Sequence, residues 1–521
     1  MRIVIALIIT IFASAAMATS DQFPPSGTTP LVGDFIATPS DTFYCSPSGD
    51  NATGDGSIGN PWVDFIGASG NCGPGDLIYF RGGTYPTYSH VNAAYCANRL
   101  TDDGTEANPI VITNYPGEIV YYDDNTEWSL SLGGDYQKLI GTDVSGDYGW
   151  QINGGITISG ANYSQVSNIE IYGGAPSGDL NPAMIYQASV TNDYGNVISY
   201  NYFHDAINIP SSSDRVTGIR MFVNANSIIE FNLFENMNRY SYGSAIYFKD
   251  VATEPIVRYN TFIDCLAAIG FGGQGDDFNG LSVHHNLFYD AFNTIVYLDD
   301  LNAGSSEPIE IYNNVSLSIP AGGAFYRYYN FGNDTYQVHG DFYNNVIDGP
   351  AFSNSWNVDS NNMDNLPDFF DYNLWYDAAD TSTVVIIDGN DTPAWTLPSA
   401  YSDNAVVSSD SVSYNSETMK ATVPDDWDGR GTGLESTNIG GFTWTSSMSL
   451  DSASVSGGVL SISWTDAGST EWQVQATING TTSYTILVDS ASASFPVAAG
   501  TIDIKITGNA SGTAQGGASS S

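Results

Sequence analysis

Basic residues are scarce in this chain of 521 residues. Lysine occurs four times, and 13 Lys and Arg stand against 57 Asp and Glu, for a formal net charge of −44. No basic stripe is available to displace counterions from phosphates, which argues against nucleic acid as a partner. Helices carry Lys, Glu, Arg and Ala on their wet faces, so four lysines and a charged fraction of 13% speak against a helical protein. Cysteine is equally rare, with four copies, and no Cys/His spacing matches a zinc site. Beyond the first residues no apolar run is long enough to cross a bilayer. What is abundant is hydrophobic material (42%), Gly (54) and Tyr (33), enough for a core built from strands and turns. So acidic a surface suits salty or calcium-rich surroundings.

The N-terminus has the form of an export signal. Arg2 supplies a positive start, Ile3 to Ala13 is apolar, and Ala16-Met17-Ala18 is a small-x-small cleavage site. Cleavage after Ala18 leaves 12 bases against 57 acids, or −45, and predicts a secreted protein. Export permits disulfides, so one bridge is expected among Cys45, Cys72 and Cys96, with the pairing open. Cys265 reads as a small buried residue.

One short phrase recurs through the middle of the chain. It reads Val-Ile-Ser-Tyr-Asn-Tyr-Phe around Asn201, Ile-Ile-Glu-Phe-Asn-Leu-Phe around Asn232 and Ile-Val-Arg-Tyr-Asn-Thr-Phe around Asn260. Further copies surround Asn286, Asn313, Asn344 and Asn373, giving steps of 31, 28, 26, 27, 31 and 29 residues. Seven copies at one period mean a solenoid. Each copy is an alternating strand, a polar turn and a second strand, such as Ala-Ile-Tyr-Phe-Lys, with Pro and Gly between strands. The fold expected is all-β, a right-handed single-stranded parallel β-helix. Stacked at about 4.8 Å, the recurring Asn side chains can bond one another in an inward ladder at a bend, which makes them structural and not sugar ligands.

The resemblance extends beyond the period. Tyr44-Cys45-Ser46-Pro47-Ser48-Gly49-Asp50, Gly75-Asp76-Leu77-Ile78-Tyr79 and Arg81-Gly82-Gly83-Thr84-Tyr85 resemble the opening segment of secreted, pectate-lyase-like right-handed β-helix proteins. Asn108 to Ile112 with Tyr115 to Glu118 resembles their first full coil, and Ile439 to Trp444 their closing strand. The expected layout is a signal peptide at 1–18, a linker at 19–39 and the β-helix at 40–445. A small β-sandwich resembling a fibronectin type III module follows at 446–511, with a flexible tail at 512–521.

Ala245-Ile246-Tyr247-Phe248-Lys249-Asp250 with Val257 to Phe262 is similar to the alginate lyase and chondroitinase B family of polysaccharide lyases. That resemblance implies a Lys at the position of Lys249 acting beside a uronate, helped by an Arg. The family's basic Leu-Arg-His-Gly segment reads Phe271-Gly272-Gly273-Gln274 here, and its acidic pair before the Lys reads Tyr242-Gly243-Ser244. Elimination requires the proton α to the carboxylate to be made acidic, by cations or calcium on that carboxylate. With Ile246 and Phe248 inward, Tyr247 and Lys249 face outward, and Arg220 falls one coil earlier at the place of Tyr247, so the three are expected in one exposed catalytic patch.

Hydrolysis would need two facing carboxylates. Asp276, Asp277, Asp299 and Asp300 follow consecutive second strands and are candidates for that pair or for surface Ca2+. The polygalacturonases share the fold, but their Gly-His-Gly and Arg-Ile-Lys signatures are absent. His204, His284, His285 and His339 fall in or near the Asn phrases and read first as turn residues. Tyr326, Tyr328 and Trp356, with Tyr329 and Trp375, lie in late coils and are candidate sugar-stacking residues if they face outward. Two classes of function follow. One is a secreted enzyme acting on, or a module binding, an extracellular polysaccharide. The other is a non-catalytic adhesin, filament subunit or surface protein that self-associates.

Overall fold

The computed structural model describes residues 32–173 except 37, 89, 93 and 94. Between 183 and 330 it describes 183–187, 193–206, 217–237, 244–274, 278–300, 309–317, 319–320 and 323–330. Beyond these it describes Asn345 and the strands named below, and strands after residue 350 are described as backbone. The expected signal peptide and closing strand, Asp276, Asp277, His339 and Trp356 lie outside the described residues.

The chain winds into an all-β parallel solenoid. Its first face is a sheet of 12 strands, from Thr42–Cys45, Leu77–Phe80 and Ile110–Asn114 through Ile256–Arg258 and Ser282–His284 to Phe369–Asp371. Every neighbouring pair is parallel, because each strand returns one coil after the last. Alternation fixes which side is core. Ile78, Ile112, Leu139, Val166, Ile198, Ile229, Val257 and Val283 follow one another in register, and none is exposed. A second face runs through Glu170–Tyr172, Tyr202–His204, Leu233–Glu235, Thr261–Ile263 and Leu287–Tyr289. Its inward rings Phe203, Phe234, Phe262 and Phe288 stack at 4.7, 4.9 and 4.8 Å within 11° of parallel, so the rings repeat at the strand spacing. The third face carries an inward isoleucine row, Ile156, Ile185, Ile219, Ile246, Ile269 and Ile295.

From Ser167 onward the bend between the first and second faces is always two residues long. The first of the two adopts positive φ: 56° at Asn168, 58° at Tyr200, 55° at Phe231, 56° at Tyr259, 56° at His285 and 54° at Asn313. Left-handed backbone costs a non-glycine residue about 1–2 kcal/mol, so something must hold it. From Tyr200 onward the second residue does. Asn201, Asn232, Asn260, Asn286, Asn314 and Asn345 are all buried and form the expected ladder. The Nδ2 of Asn232 donates to the carbonyls of Ile198 and Glu230 and to the Oδ1 of Asn260, and that oxygen also accepts the backbone N–H of Asn232. The same pattern repeats to Asn345. In two coils it corrects the sequence expectation by one residue. Of each Asn-Asn pair, the second (Asn314, Asn345) enters the ladder, while Asn313 takes the outward left-handed position. Outside the bend the rings of Tyr200, Phe231 and Tyr259 stack in sequence at 4.8 and 5.2 Å, and the His285 ring follows at 5.2 Å, tilted by 36°.

The first coil is closed by the short helix Phe65–Ala68, whose N-cap Asp64 accepts the N–H of Ile66 and is bonded by Asn51 and by the hydroxyl of Tyr88. The four cysteines are free thiols, contrary to the expected bridge. Their surroundings differ: the Sγ of Cys72 meets the Ala68 carbonyl at 3.6 Å, and that of Cys96 meets the Asn98 carbonyl at 3.6 Å. Cys45 is buried in the core, and Cys265 is buried as expected.

The strands from Ser449 to Ser520 are antiparallel and form one sheet of three and one of four, in line with a small sandwich. Thr513–Ser520, expected as a flexible tail, pairs with Ile502–Ala510 instead. In register, Ala514 lies opposite Asn509 and Ala518 opposite Ile506.

Candidate functional site

The strands Thr217–Ala225 and Ile246–Thr253 are neighbours on the third face, with Arg220 opposite Tyr247 and Phe222 opposite Lys249. The three residues singled out from the sequence are therefore brought together. Ile246 and Phe248 enter the core, and Tyr247 and Lys249 take the other side. The Arg220 guanidinium lies 4.9 Å from the Phe222 ring and 5.3 Å from the Tyr247 ring, and the Lys249 ammonium lies 5.3 Å from Phe222. Such contacts hold a cation at roughly 0.5–2 kcal/mol each, more as water is excluded.

Exposure departs from expectation. Arg220 is 1% and Tyr247 3% exposed, and only Lys249 is half-buried and open to a ligand. The reason is a second apolar cluster outside the coil. Trp128, Tyr186 and Ala183 pack there with Cys96, and Phe222 and Tyr88 join them. Tyr186 is the register neighbour of Arg220, so the cluster ends against the guanidinium. On the other flank the ring of Tyr247 crosses Gly270, where any Cβ would come within 2.9 Å of it. Arg220 and Tyr247 thus form the floor of the patch, and Lys249 is its accessible group.

The charge state of this patch is unusual for the protein. Arg81 is paired with Glu118 and Arg258 with Glu230. Lys138 donates to the Tyr163 carbonyl, and burial lowers its pKa to about 8. The ammonium of Lys249 has neither an ion pair nor a hydrogen bond among the described residues.

Asp299 and Asp300 end the strand Asn293–Asp300 opposite Gly273 and Gln274, two coils beyond Lys249. Their backbone positions are described, as is that of Tyr328, which lies opposite Tyr297 and Asn354. Tyr326 is not a surface residue. Register puts it after Ile295 in the inward isoleucine row, 3% exposed, with its ring edge-on to Phe342 at 5.0 Å. Among the described residues no three His, Cys, Asp or Glu side chains converge as cation ligands.

Sequence reading misses two polar clusters. On the second face His204 bonds Glu170 and Asp205, each at 3.1 Å, and stacks at 4.2 Å on Tyr202, whose hydroxyl donates to Glu235. Burial alone would lower the His204 pKa, but the two carboxylates outweigh it and the net shift is upward. On the first face the Nδ1 atoms of His284 and His285 lie 2.7 Å apart, with Tyr312 stacked on His284 at 4.8 Å. Burial, then neighbouring positive charge, holds both imidazoles neutral, with His285 lowered to about 3. Both are structural couplings between coils.

With this geometry the fold class is clear: the protein is an all-β parallel β-helix. Residues 43–268, which include Arg220, Tyr247 and Lys249, match the model of the Pel9A-like right-handed β-helix region. No curated protein matches the chain. Among solved structures it is similar to pectate lyase Pel9A (TM-score 0.38, 13% identity, 54% of this chain and 77% of that one). It is also similar to a mutant of the PL6 family alginate lyase AlyGC (0.43, 13%, 71% and 54%). A third is the GH136 lacto-N-biosidase from Eubacterium ramulus (0.40, 13%, 70% and 68%).

Proposed function

We propose that the protein is exported and acts on an extracellular, uronate-containing polysaccharide at the outer side of its third face, by elimination. The observation that carries this reading is the ammonium of Lys249, which has no ion pair among the described residues and lies half-buried over Phe222 beside the buried Arg220, in a chain with 57 acids. A lysine with no carboxylate partner among the described residues of so acidic a protein is available to one from outside. An ion pair with a sugar carboxylate, strengthened by the partly dry aromatic surround, would draw charge from the carboxylate and acidify the adjacent C–H. Water acting as the base can then take that proton, the freed electron pair forms the carbon–carbon double bond, and the C–O bond to the next sugar breaks with its oxygen protonated by solvent, leaving an unsaturated product. Calcium on the same carboxylate would add to the effect.

The test is ultraviolet absorbance from polygalacturonate, alginate and neutral glycans, each with calcium and with chelator, for wild type and Lys249→Ala. New absorbance on a uronate polymer, lost in Lys249→Ala, is the expected result. Reducing ends without absorbance would move attention to hydrolysis and the aspartates. No cleavage of any polymer would overturn the enzymatic reading.

A second reading is a non-catalytic glycan-binding or self-associating surface protein. The burial of Arg220 and Tyr247 favours it, since groups at 1% and 3% exposure are built as a support. Retention on a glycan without turnover would select it.

A further inference from the structure

A separate cleft lies at the N-terminal end of the solenoid, about four coils or roughly 19 Å along the axis from Lys249. It is an open groove of about 670 Å3, within the range of about 300–1,000 Å3 typical of small-ligand sites. One wall is apolar, made by Ile119, Tyr121 and Val144; the other is polar, made by Ser46, Ser48, Arg81 and Glu118. Between them Gly82, Gly83 and Gly117 leave bare backbone. A Cβ on Gly83 would crowd Pro47 at 3.1 Å, and φ of 129° and 77° at Gly83 and Gly117 favours glycine at both.

The polar wall is built and rigid. Arg81 Nε and Nη2 donate to Glu118 at 2.9 and 2.7 Å, and the Gly82 N–H donates to the same carboxylate at 2.6 Å. The guanidinium lies 4.5 Å from the Tyr115 ring, and the carbonyl of Arg81 is met at 2.8 Å by the hydroxyl of Tyr85. Glu118 uses both oxygens on this pair, which holds its pKa below the usual carboxylate range. Arg81 spends Nε and Nη2 and leaves Nη1, with its two N–H groups, on a side chain 35% exposed. The Oγ atoms of Ser46 and Ser48, 3.1 Å apart, add donors and acceptors.

We propose that this cleft binds a neutral pyranose unit of a glycan chain. The two walls match the two faces of such a ring. A pyranose is amphipathic, with a C–H face for Tyr121 and Val144 and adjacent hydroxyls that both donate and accept, as Arg81 Nη1, the Glu118 lone pairs and the serines require. Neutrality follows from charge. The two ionic groups of the cleft cancel at bidentate distance, so an acidic sugar would find no net positive charge there and would bring its carboxylate beside that of Glu118. The cleft therefore selects a different sugar from the one assigned to Lys249, and it serves to hold the polymer and not to cut it.

The experiment is calorimetric titration of the full chain with cellotetraose, xylotetraose, mannotetraose and tetragalacturonate. Ser48 is exposed at the mouth, so Ser48→Trp fills the groove without touching the core. Wild type is expected to bind at least one neutral tetrasaccharide more tightly than tetragalacturonate, and Ser48→Trp and Tyr121→Ala to raise its Kd at least about tenfold. Product release from a uronate polymer is assayed in parallel for wild type and Lys249→Ala and reports on the Lys249 reading alone, so failure of this cleft and failure of that reading are told apart. The proposal is overturned if no neutral tetrasaccharide binds, if Ser48→Trp binds it as wild type does, or if tetragalacturonate is the tighter ligand lost in that variant.

Discussion

The asparagine ladder makes a quantitative prediction at Asn260. Its side chain takes part in five hydrogen bonds, donating to the carbonyls of Ile229 and Arg258 and to Asn286 Oδ1, and accepting from the backbone N–H and the Nδ2 of Asn232. Asn260→Ala deletes all five in a fully buried place. Not all are lost at full cost. Asn232 Nδ2 keeps Ile198 and Glu230 as acceptors, and Asn286 Oδ1 keeps the backbone N–H of Asn260. The backbone N–H of Asn232 loses its acceptor outright. One buried orphan costs about 1–3 kcal/mol, and the remaining bonds add roughly 1 kcal/mol or more together with the small void. The total expected is about 2–4 kcal/mol, read as the shift in urea unfolding followed by circular dichroism. Asn260→Asp, nearly the same shape, should cost more, because a carboxylate would face three acceptors with no proton to offer. As a comparison, Asn153 makes one exposed bond to Asp123, and its alanine variant should lose no more than about 0.5 kcal/mol. A loss under about 1 kcal/mol for Asn260→Ala would refute the view that the ladder holds the bend.

Two further predictions concern pH. His204 gains its upward shift from Glu170 and Asp205, so its contribution is fully present below the ordinary imidazole pKa and is lost as pH rises through the folded value. His204→Gln should therefore be more destabilising at about pH 5.5 than at about pH 8.5 in parallel urea titrations, and a gap that widens with pH would contradict the coupling. His285 behaves oppositely: its folded pKa is about 3, below the ordinary value, so stability is whole above about pH 6.5 and falls as pH drops toward 3. Each pH unit in that window costs about 1.4 kcal/mol per imidazole. His285→Asn should flatten the acid limb, as Asn already occupies the corresponding left-handed position at Asn313; an unchanged acid limb would show that other groups set it.

The period, the strands and the ladder are legible in the sequence because each is written several times over, and a pattern repeated at 26 to 31 residues survives local noise. Single positions are harder. In Tyr-Asn-Asn-Val the choice between Asn313 and Asn314 is made by which residue takes positive φ, and composition does not mark it. Tyr326 misleads because Ala-Phe-Tyr-Arg-Tyr looks like Ala-Ile-Tyr-Phe-Lys, yet register slides it by one so that its Tyr falls where the isoleucines are. Alternation correctly puts Tyr247 on the outer side, but it cannot tell that Trp128, Tyr186 and Phe222, from other coils, form an apolar cover beside it. The same limit hides Arg81 and Glu118, 37 residues apart, and Glu170 and His204, 34 apart. Coils of unequal length must be superposed before such pairs meet.

The constant two-residue bend makes this rod a modular object. Successive ladder asparagines are 31, 28, 26, 28 and 31 residues apart, yet none of that variation falls at the bend. Length is added where one coil climbs to the next, so segments there can grow or shrink without disturbing the stack. Removing residues 232–259 would join Phe231 to Asn260, an aromatic followed by a ladder asparagine, as in the parent chain. The product would be the same rod shorter by one rung, about 4.8 Å. Gene segments of one period are thus interchangeable units, and the spacing between surface sites can be reset in whole rungs.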